Sequence, residues 1–459
     1  MKRLACLFLL PALVFALYDM QWFDLNHWNA SVLNEGRWGT NHGWSPGASW
    51  PQPYQNFYVY TAGAWLGAIV GSSSPETLCT VFCDPNSGGT ECCPTLCRYW
   101  RGGTGDIRDR IYKYPGDWPP SHSRFPMAPL WELSDMDLWC AYCDSDPSNH
   151  MSPGRPLGVD VYQTVCGFDD SLAQDFFFLR YEVANCSGDS LRKAYFGPVL
   201  DPDIGDGTDD MADVMLDHIF VVGQDTIRVT NLAYAYDFNN WEDPGATWES
   251  GVPGTVAIMW LSAPESIGLT AFKRLTIDID PTTDVAQYLT LAGYDYRTGE
   301  YVPYDSNDLT PADKRFVLSS GPFDLAPDST VTFWYVVIGS PFGELGQTPP
   351  QRDTSDLALR CKWALEYWRR LFPGVEEGTP SAKVRMTIAG ATLVRGILNL
   401  QSAIYNLQSE IVLLDVDGRK VLNLHAGAND ISALSPGVYF VRMLSGEGRM
   451  ANSKVVVAQ

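Results

Sequence analysis

An aspartate-rich run over residues 201–213, DPDIGDGTDDMAD, is the stretch of the sequence whose residue types most directly suggest chemistry. It holds six aspartates and two glycines and has no lysine or arginine. Carboxylates are the ligands that Ca²⁺ prefers, and glycines let backbone carbonyls turn toward the same ion. The run therefore predicts a structural calcium loop, for which the candidate ligands are Asp201, Asp203, Asp206, Asp209, Asp210 and Asp213.

The spacing of the run excludes a standard EF-hand. Counting from Asp201, positions 5, 6 and 12 are Gly205, Asp206 and Ala212. An EF-hand needs an oxygen ligand, a glycine and a glutamate at those positions. A looser calcium loop then competes with a solvated acidic turn and with a pair of catalytic carboxylates. A cation would offset the mutual repulsion of the charges, so the first two interpretations are favoured over catalysis.

Cysteine is the second residue type that can do chemistry here. The chain has eleven cysteines, and Cys6 lies in the apolar N-terminal segment, which leaves ten. An even number in a secreted chain predicts disulfide bonds. A zinc site in the cluster at residues 79–97 is the alternative, although no histidine joins it. The disulfide candidates are Cys79, Cys83, Cys92, Cys93, Cys97, Cys140, Cys143, Cys166, Cys186 and Cys361.

Motifs of the common enzyme classes are absent from the sequence. There is no G-x-S-x-G elbow, no H-E-x-x-H, no phosphate loop and no dinucleotide fingerprint. The C-x-x-C at Cys140 and Cys143 lacks the strand-helix-strand context of a redox motif. Glycoside hydrolysis needs only two suitably separated carboxylates, which the sequence does not exclude. Tryptophans that either contact a glycan or, as we favour, pack the interior are Trp38, Trp44, Trp50, Trp100, Trp118 and Trp131.

The elements that must position these residues are mostly strands. Aromatic and β-branched runs separated by Gly, Pro and Asp predict an antiparallel β-sandwich body over residues 17–345. Within this body, residues 72–160 are rich in Cys, Pro and Gly and predict an irregular insertion held by disulfides. Apolar residues at helical spacing predict one helix within residues 346–371, followed by a linker over residues 372–382.

The two ends of the chain differ from the body in their sequence patterns. Lys2 and Arg3 precede a short apolar run that ends at Ala16, which predicts a secretory signal peptide over residues 1–16. Residues 383–459 alternate apolar and polar positions with frequent turns, which predicts a small immunoglobulin-like β-sandwich. No other stretch reaches the ~18 apolar residues of a membrane span, so no transmembrane segment is expected in the mature chain.

The C-terminal stretch resembles the sorting domain of bacterial type IX secretion cargo, the Por secretion tail family. The similarity lies in D-x-x-G-R-x-V at 415–421, NDISALSPGVYFVRM at 429–443 and KVVV at 454–457. One departure is TIAGATLVRG at 387–396, where the family usually opens with a Pro-Asn-Pro turn. The resemblance implies the type IX secretion machinery as a partner. The motif residues are Asp415, Gly418, Arg419, Gly437, Tyr439 and Lys454.

The body has a vaguer resemblance. VLNEGRWG at 32–39, YVYTAGAWLGAIV at 58–70 and RFVLSSGPFDLAPDSTVTFWYVVIGS at 315–340 resemble segments of uncharacterised exported proteins. This similarity supports the architecture and implies no activity.

Net charge limits the partners of the chain. The formal charge is −22; residues 381–459 carry +3 and the signal segment +2, so residues 17–380 carry −27. Such a body repels nucleic acid and anionic lipid. We therefore expect a non-catalytic structural or adhesive protein, secreted through the periplasm or attached to the outer cell surface. Surface glycans or other surface proteins are the expected partners, and a secreted carbohydrate-active enzyme or glycan-binding protein is the alternative.

Overall fold

The computed structural model describes residues 18–41, 46–101, 106–151, 153–305, 307–343 and 353–371, and parts of residues 392–457. The chain forms two compact units, residues 1–367 and 368–459. The predicted signal peptide and linker lie outside the described residues.

The first unit consists mainly of strands. In chain order the strands are β1 (Met20–Phe23), β2 (Asn29–Leu33), β3 (Ala48–Ser49), β4 (Phe57–Val59), β5 (Thr61–Val70), β6 (Glu76–Val81), β7 (Tyr112–Tyr114), β8 (Met136–Cys143), β9 (Val159–Gly167), β10 (Phe176–Asn185), β11 (Leu191–Asp201), β12 (Asp210–Val222), β13 (Asp225–Asp237), β14 (Gly254–Ser262), β15 (Ala271–Thr276), β16 (Tyr294–Asp295), β17 (Glu300–Tyr301), β18 (Lys314–Leu325) and β19 (Thr330–Pro341). The helices are α1 (Asp284–Leu291) and α2 (Ser355–Leu371), with short 3₁₀ turns at Cys97–Tyr99, Pro264–Ser266 and Ile277–Ile279.

Two large sheets dominate this unit. One has eight strands in the order β12-β13-β14-β19-β10-β9-β8-β7, and the other has five in the order β15-β18-β11-β5-β6. A four-stranded sheet β1-β2-β3-β4 and the pair β16-β17 complete the set. Neighbouring strands in both large sheets pair antiparallel. The prediction of a mostly β, antiparallel, sandwich-like body is confirmed.

Large aromatic side chains fill the space between the two sheets. Phe196 of β11 stacks on Phe333 of β19 at 4.2 Å and lies 5.4 Å from Tyr181 of β10, measured between ring centres. All three rings are fully buried. Such burial is the main source of stability in a sheet-on-sheet core. Trp38 and Trp50 are buried in the same core, which confirms the packing interpretation for these two tryptophans.

The insertion at residues 72–160 is more regular than expected. Strand β6 extends the five-stranded sheet, and β7 and β8 form one edge of the eight-stranded sheet. Phe125, Trp139 and Tyr162 belong to a small apolar core in this region. All ten cysteines of the described chain are free thiols. Apolar packing therefore holds the insertion here, because short strands between Pro- and Gly-rich loops bring aromatic residues together that are distant in sequence.

The predicted helix is present as α2. The Arg360 Nε on this helix donates to Asp175 Oδ2 at 2.9 Å, and the ring of Tyr367 lies 5.8 Å from that of Phe176. The structure adds α1, which the sequence did not predict. The Thr283 hydroxyl accepts from the Ala286 amide and caps its first turn. With eight residues, α1 is too short to show a helical repeat in the sequence.

The second unit contains a five-stranded sheet in the order β20-β26-β25-β22-β23 and the pair β21-β24. Its strands are β20 (Thr392–Val394), β21 (Ile397–Leu400), β22 (Glu410–Leu414), β23 (Lys420–Leu424), β24 (Gly427–Asp430), β25 (Gly437–Leu444) and β26 (Met450–Val457). Strands β22 and β23 pair antiparallel. Among the described residues of the whole chain, no helix has the length and apolar character needed to cross a membrane.

Candidate metal centre

The aspartate-rich run links the two large sheets. Asp201 is the last residue of β11 in the five-stranded sheet, and Asp210 is the first residue of β12 at the edge of the eight-stranded sheet. The antiparallel register of β12 and β13 places Asp210 opposite Asp237. The loop that follows β13 brings Glu242 to the same place. Two acidic residues distant in sequence thereby join the run.

Asp209, Asp237 and Glu242 form what we call the carboxylate triad. Each offers one carboxylate oxygen, and these oxygens lie within 4.8 Å of one another. Uncharged groups donate a hydrogen bond to each member of the triad: Trp241 N to Asp237 Oδ1 at 2.9 Å, Asn239 Nδ2 to Asp209 Oδ2 at 2.8 Å, and Asp206 N to Glu242 Oε2 at 3.2 Å. These donors orient the carboxylates but do not neutralise them.

Glycines allow the acidic side chains to approach the backbone of the run. A Cβ atom at Gly207 would lie 2.3 Å from Asp203 Oδ1, and one at Gly205 would lie 2.1 Å from Glu242 Cδ. Gly205 also has a φ of +72°, which favours glycine. Both positions therefore need glycine for the acidic side chains to occupy these places.

Burial and mutual repulsion alter the acidity of the carboxyl groups. Burial raises the pKa of Glu242 to about 8, with further upward contributions from Asp237 and Asp209. Burial likewise raises the pKa of Asp203 to about 6, with Asp313 adding to the effect. A bound cation acts in the opposite direction, because it favours the ionised form of each ligand.

Asp210 gives a second, independent indication of a cation. Its side chain is nearly fully buried at 1% exposure, and its Oδ2 accepts from Ile204 N at 3.1 Å. Its Oδ1 makes no hydrogen bond with any described residue. Burial raises its pKa well above the usual value, and the charged neighbours Asp203, Asp237 and Asp209 raise it further. A buried carboxylate among other carboxylates is costly unless a positive charge compensates it.

Asp201, Asp203 and Asp313 form a second acidic group, in which a positive charge is already provided by the protein. The Arg315 Nε lies 3.3 Å from Asp201 Oδ1, and its Nη2 lies 3.4 Å from Asp313 Oδ2. Asp280 also approaches this guanidinium at 3.6 Å. Asp201 is thus placed against an arginine, which makes it a weaker candidate ligand than the sequence suggested.

The structure separates the two remaining aspartates of the run. Asp206 is exposed and contributes its backbone amide to Glu242. Asp213 is directed elsewhere: it accepts from the Tyr236 hydroxyl at 2.9 Å and from Asp308 N at 2.9 Å, and it lies 3.4 Å from the Arg274 guanidinium. The six aspartates therefore do not converge on one point.

A cleft of about 750 Å³ opens at Asp209 and Glu242 of the triad, whereas Asp237 is fully buried behind them. Fourteen residues line it, none of them basic. Trp241, which is 48% exposed, forms part of its wall. This combination gives a strongly negative surface that is open to solvent and suited to a cation. Its acidic lining residues are Asp203, Asp206, Asp209, Glu242, Asp243 and Asp313.

The cysteines fall into two groups. Cys140 and Cys143 are three residues apart on β8 and therefore point to opposite faces of the sheet, so the C-x-x-C does not act as a pair. Cys140 belongs to the apolar core, whereas Cys93, Cys97, Cys143 and Cys186 approach one another. The other buried cysteines are Cys79, Cys83, Cys92, Cys166 and Cys361.

Several residues of the predicted sorting motif shape turns in the second unit. The Asp415 Oδ1 accepts from Arg419 N at 2.8 Å at the β22–β23 hairpin. The Tyr439 hydroxyl donates to Ser435 O at 2.9 Å beside Gly437. Lys454 lies on β26, and Gly418 lies outside the described residues.

No protein-family model matches the sequence, and none of the curated proteins compared with it matches either. The arguments about function below therefore rest on residues, distances and charges.

Proposed function

We propose that this chain is an exported structural or adhesive protein of the bacterial cell surface whose body binds Ca²⁺ in the acidic cleft. The observation that carries the proposal is the carboxylate triad, together with the buried Asp210 beside it. Strong negative charge, uncharged hydrogen-bond donors and an opening to solvent are what a cation site requires.

Ligand chemistry favours Ca²⁺ over other cations. The triad offers only carboxylate oxygens, which are hard ligands, and no described nitrogen or sulfur atom joins this group. Ca²⁺ takes six to eight oxygen ligands in flexible geometry and accepts waters among them, which suits an open cleft. Mg²⁺ demands a tighter octahedral arrangement. Asp209 immediately precedes β12, Asp237 is the last residue of β13, and Glu242 lies on the loop that follows β13. The ion would therefore join three segments.

The proposed role of calcium is to stabilise the region where the two sheets are connected. A ligand that binds only the folded state stabilises it by about 2.7 kcal/mol at a concentration 100-fold above its Kd. For a surface protein, calcium in the medium would then hold the loops in place and protect them from proteolysis.

Calcium binding by the body can be tested by thermal unfolding. In the double variant Asp209→Asn/Glu242→Gln, we expect the rise in Tm on adding Ca²⁺ to chelator-treated protein to disappear. Asp243→Asn is the matched control, because Asp243 lines the same cleft outside the triad and should keep the response. A calcium response that persists in the double variant would contradict the site.

Export is the second part of the proposal. It is supported by the basic and then apolar N-terminus and by the resemblance of residues 383–459 to a type IX sorting domain, including its immunoglobulin-like character. Disulfide bonds within the insertion remain a prediction of the same kind. Deleting residues 381–459 should leave the body in the periplasm of a host with type IX secretion. Release of the truncated protein to the surface would refute this part.

A glycan is a second candidate ligand of the same cleft. Trp241 is half-exposed in its wall, where an aromatic face can stack on a sugar. Glu242, with its pKa raised to about 8, could serve as a protonated acid beside Asp209. Sugar release from polysaccharides that is lost in Glu242→Gln would favour an enzyme. Binding without release, lost in Trp241→Ala, would favour a glycan-binding protein.

A further inference from the structure

Three neighbouring strands bring two cysteines and an aspartate to one end of the eight-stranded sheet. The register pairs Cys143 of β8 with Asp160 of β9, and Asp160 with Ala184 of β10. Cys186 follows two residues after Ala184, and its amide donates to Gly158 O at 2.9 Å. The sheet itself therefore fixes the positions of these side chains.

A loop after β6 adds two more thiols. Cys93 and Cys143 exchange two backbone hydrogen bonds, of 2.8 and 3.1 Å, and their Sγ atoms lie 3.5 Å apart. Cys97 begins a 3₁₀ turn four residues later, and its thiol contacts those of both Cys143 and Cys186. The four sulfur atoms thus form a continuous series, which we call the thiol cluster.

Asp160 holds two members of the thiol cluster in place. Its Oδ1 accepts from Cys97 N at 2.6 Å, and its Oδ2 lies 3.2 Å from Cys186 Sγ. The Cys97 and Cys186 sulfurs and an Asp160 oxygen lie within 4.8 Å of one another. A backbone amide, from Ser145, also approaches the Cys143 sulfur. Such N–H groups around sulfur stabilise a thiolate.

We propose that Cys93, Cys97, Cys143 and Cys186 bind one Zn²⁺ through their four thiolates, with Asp160 as a positioning residue. A Zn–S bond is about 2.3 Å long, so neighbouring sulfurs of a tetrahedral site are about 3.8 Å apart. The 3.5 Å between Cys93 and Cys143 is close to that spacing. On binding, each thiol gives up its proton to solvent and its sulfur donates an electron pair to zinc, with no change of oxidation state.

The contacts within the thiol cluster favour a metal over disulfides. The series contains three contacts: Cys93 with Cys143, Cys143 with Cys97, and Cys97 with Cys186. Two disulfides, Cys93–Cys143 and Cys97–Cys186, would also engage all four sulfurs, but the 3.5 Å between the Cys93 and Cys143 sulfurs is far longer than an S–S bond of about 2 Å. The proposal assigns these four cysteines to zinc in place of the disulfides that the sequence composition predicts.

Burial of the thiol cluster fits a structural zinc site with a route for the ion. Cys143 and Cys93 are buried, Cys97 is partly exposed, and Cys186 is exposed. The ion would fasten the loop at residues 93–97 to β8 and to the residue that follows β10. This inference is independent of the calcium cleft and of export.

The direct test is the metal content of the full chain produced with zinc supplied. We expect one zinc per chain in the wild type and none in Cys143→Ser. Cys140→Ser is the matched control, because Cys140 lies on the same strand but in the apolar core, and it should retain one zinc. A zinc-free wild type whose intact mass shows oxidised sulfur pairs would overturn the proposal. Zinc that is unchanged in Cys143→Ser would do the same.

A second measurement uses the wild-type protein, so that the proposal is tested even when the Cys143→Ser variant does not fold. Wild-type protein loaded with Co²⁺ should show intense thiolate charge-transfer absorption and the visible bands of a tetrahedral ion. Bands of an octahedral, oxygen-ligated ion would contradict a thiolate site. Asp160→Ala should keep this spectrum but bind zinc about 10- to 100-fold more weakly in competition with a chelator, because the Cys97 amide loses the acceptor that orients it.

Discussion

The acidic cleft and the thiol cluster differ in almost every property that selects a metal. The cleft offers carboxylate oxygens in an open, negatively charged surface, whereas the cluster offers sulfurs that are partly enclosed by a sheet. Hard oxygen ligands select Ca²⁺ and soft thiolates select Zn²⁺. Under the two proposals, ligand type alone would separate the two cations within one chain.

The two regions are also assembled differently. Strand register positions Cys143 and Asp160, so the thiol cluster inherits the rigidity of the eight-stranded sheet. Of the triad, Glu242 lies on a loop and only Asp237 belongs to a strand, where it pairs with Asp210. We therefore expect zinc to be bound tightly as a structural ion and calcium to exchange more readily.

The largest effect is expected from the loss of one sulfur. Cys97→Ser removes a thiol that contacts two others, so zinc content should fall from one to none. The rise in Tm caused by calcium should be unchanged, because effects at separate sites add. Metal analysis and thermal unfolding on the same samples check both statements. Loss of both metal responses together would show that the two centres are not independent.

A smaller effect is expected where the backbone makes room for a carboxylate. Gly207→Ala places a Cβ atom 2.3 Å from Asp203 Oδ1 and should displace this side chain at the cleft. We expect calcium affinity to fall about tenfold, which corresponds to about 1.4 kcal/mol, with zinc content unaffected. Gly245→Ala is the control, because its nearest contact in the same cleft is 3.8 Å away. Equal affinities in the two variants, measured by calorimetry, would argue against the participation of Asp203.

The smallest effect is a dependence of stability on pH. Folding raises the pKa of Glu242 from 4.5 to about 8 and that of Asp203 from 3.8 to about 6, so the folded state retains protons that the unfolded state has lost. The stability of chelator-treated protein should therefore fall as pH rises from about 4 to 8. Tm measured across this range should decline, and Glu242→Gln should reduce the decline above pH 6. A Tm that rises with pH in the metal-free protein would contradict the assignment.

Sequence patterns predicted local features well. Aromatic and β-branched runs predicted the antiparallel sheets of the body, and helical spacing predicted α2 within its boundaries. The acidic run was recognised as a candidate site, and Asp209 belongs to the triad. These features depend on residues that are close together in the chain.

The other residues of both centres are brought together by contacts between segments that are far apart in the sequence. Asp237 joins Asp210 only through the register of β12 and β13, and Glu242 follows from the loop after β13. Four strands, β7 to β10, lie between Cys97 and Cys186 in the sequence, so no sequence spacing could mark them as partners. The sequence signal for Glu242 was the Trp-Glu-Asp stretch at residues 241–243 that follows a strand. Composition alone does not distinguish such a stretch from a solvated loop.

Calorimetric titration of Ca²⁺ into chelator-treated, zinc-loaded full chain tests the central claim most directly. We predict saturable binding of one Ca²⁺ per chain in the wild type and in Cys143→Ser. The same titration should give no saturable binding in Asp209→Asn/Glu242→Gln. Absence of calcium binding in the wild type, or equal binding in the double variant, would contradict the account of the acidic cleft.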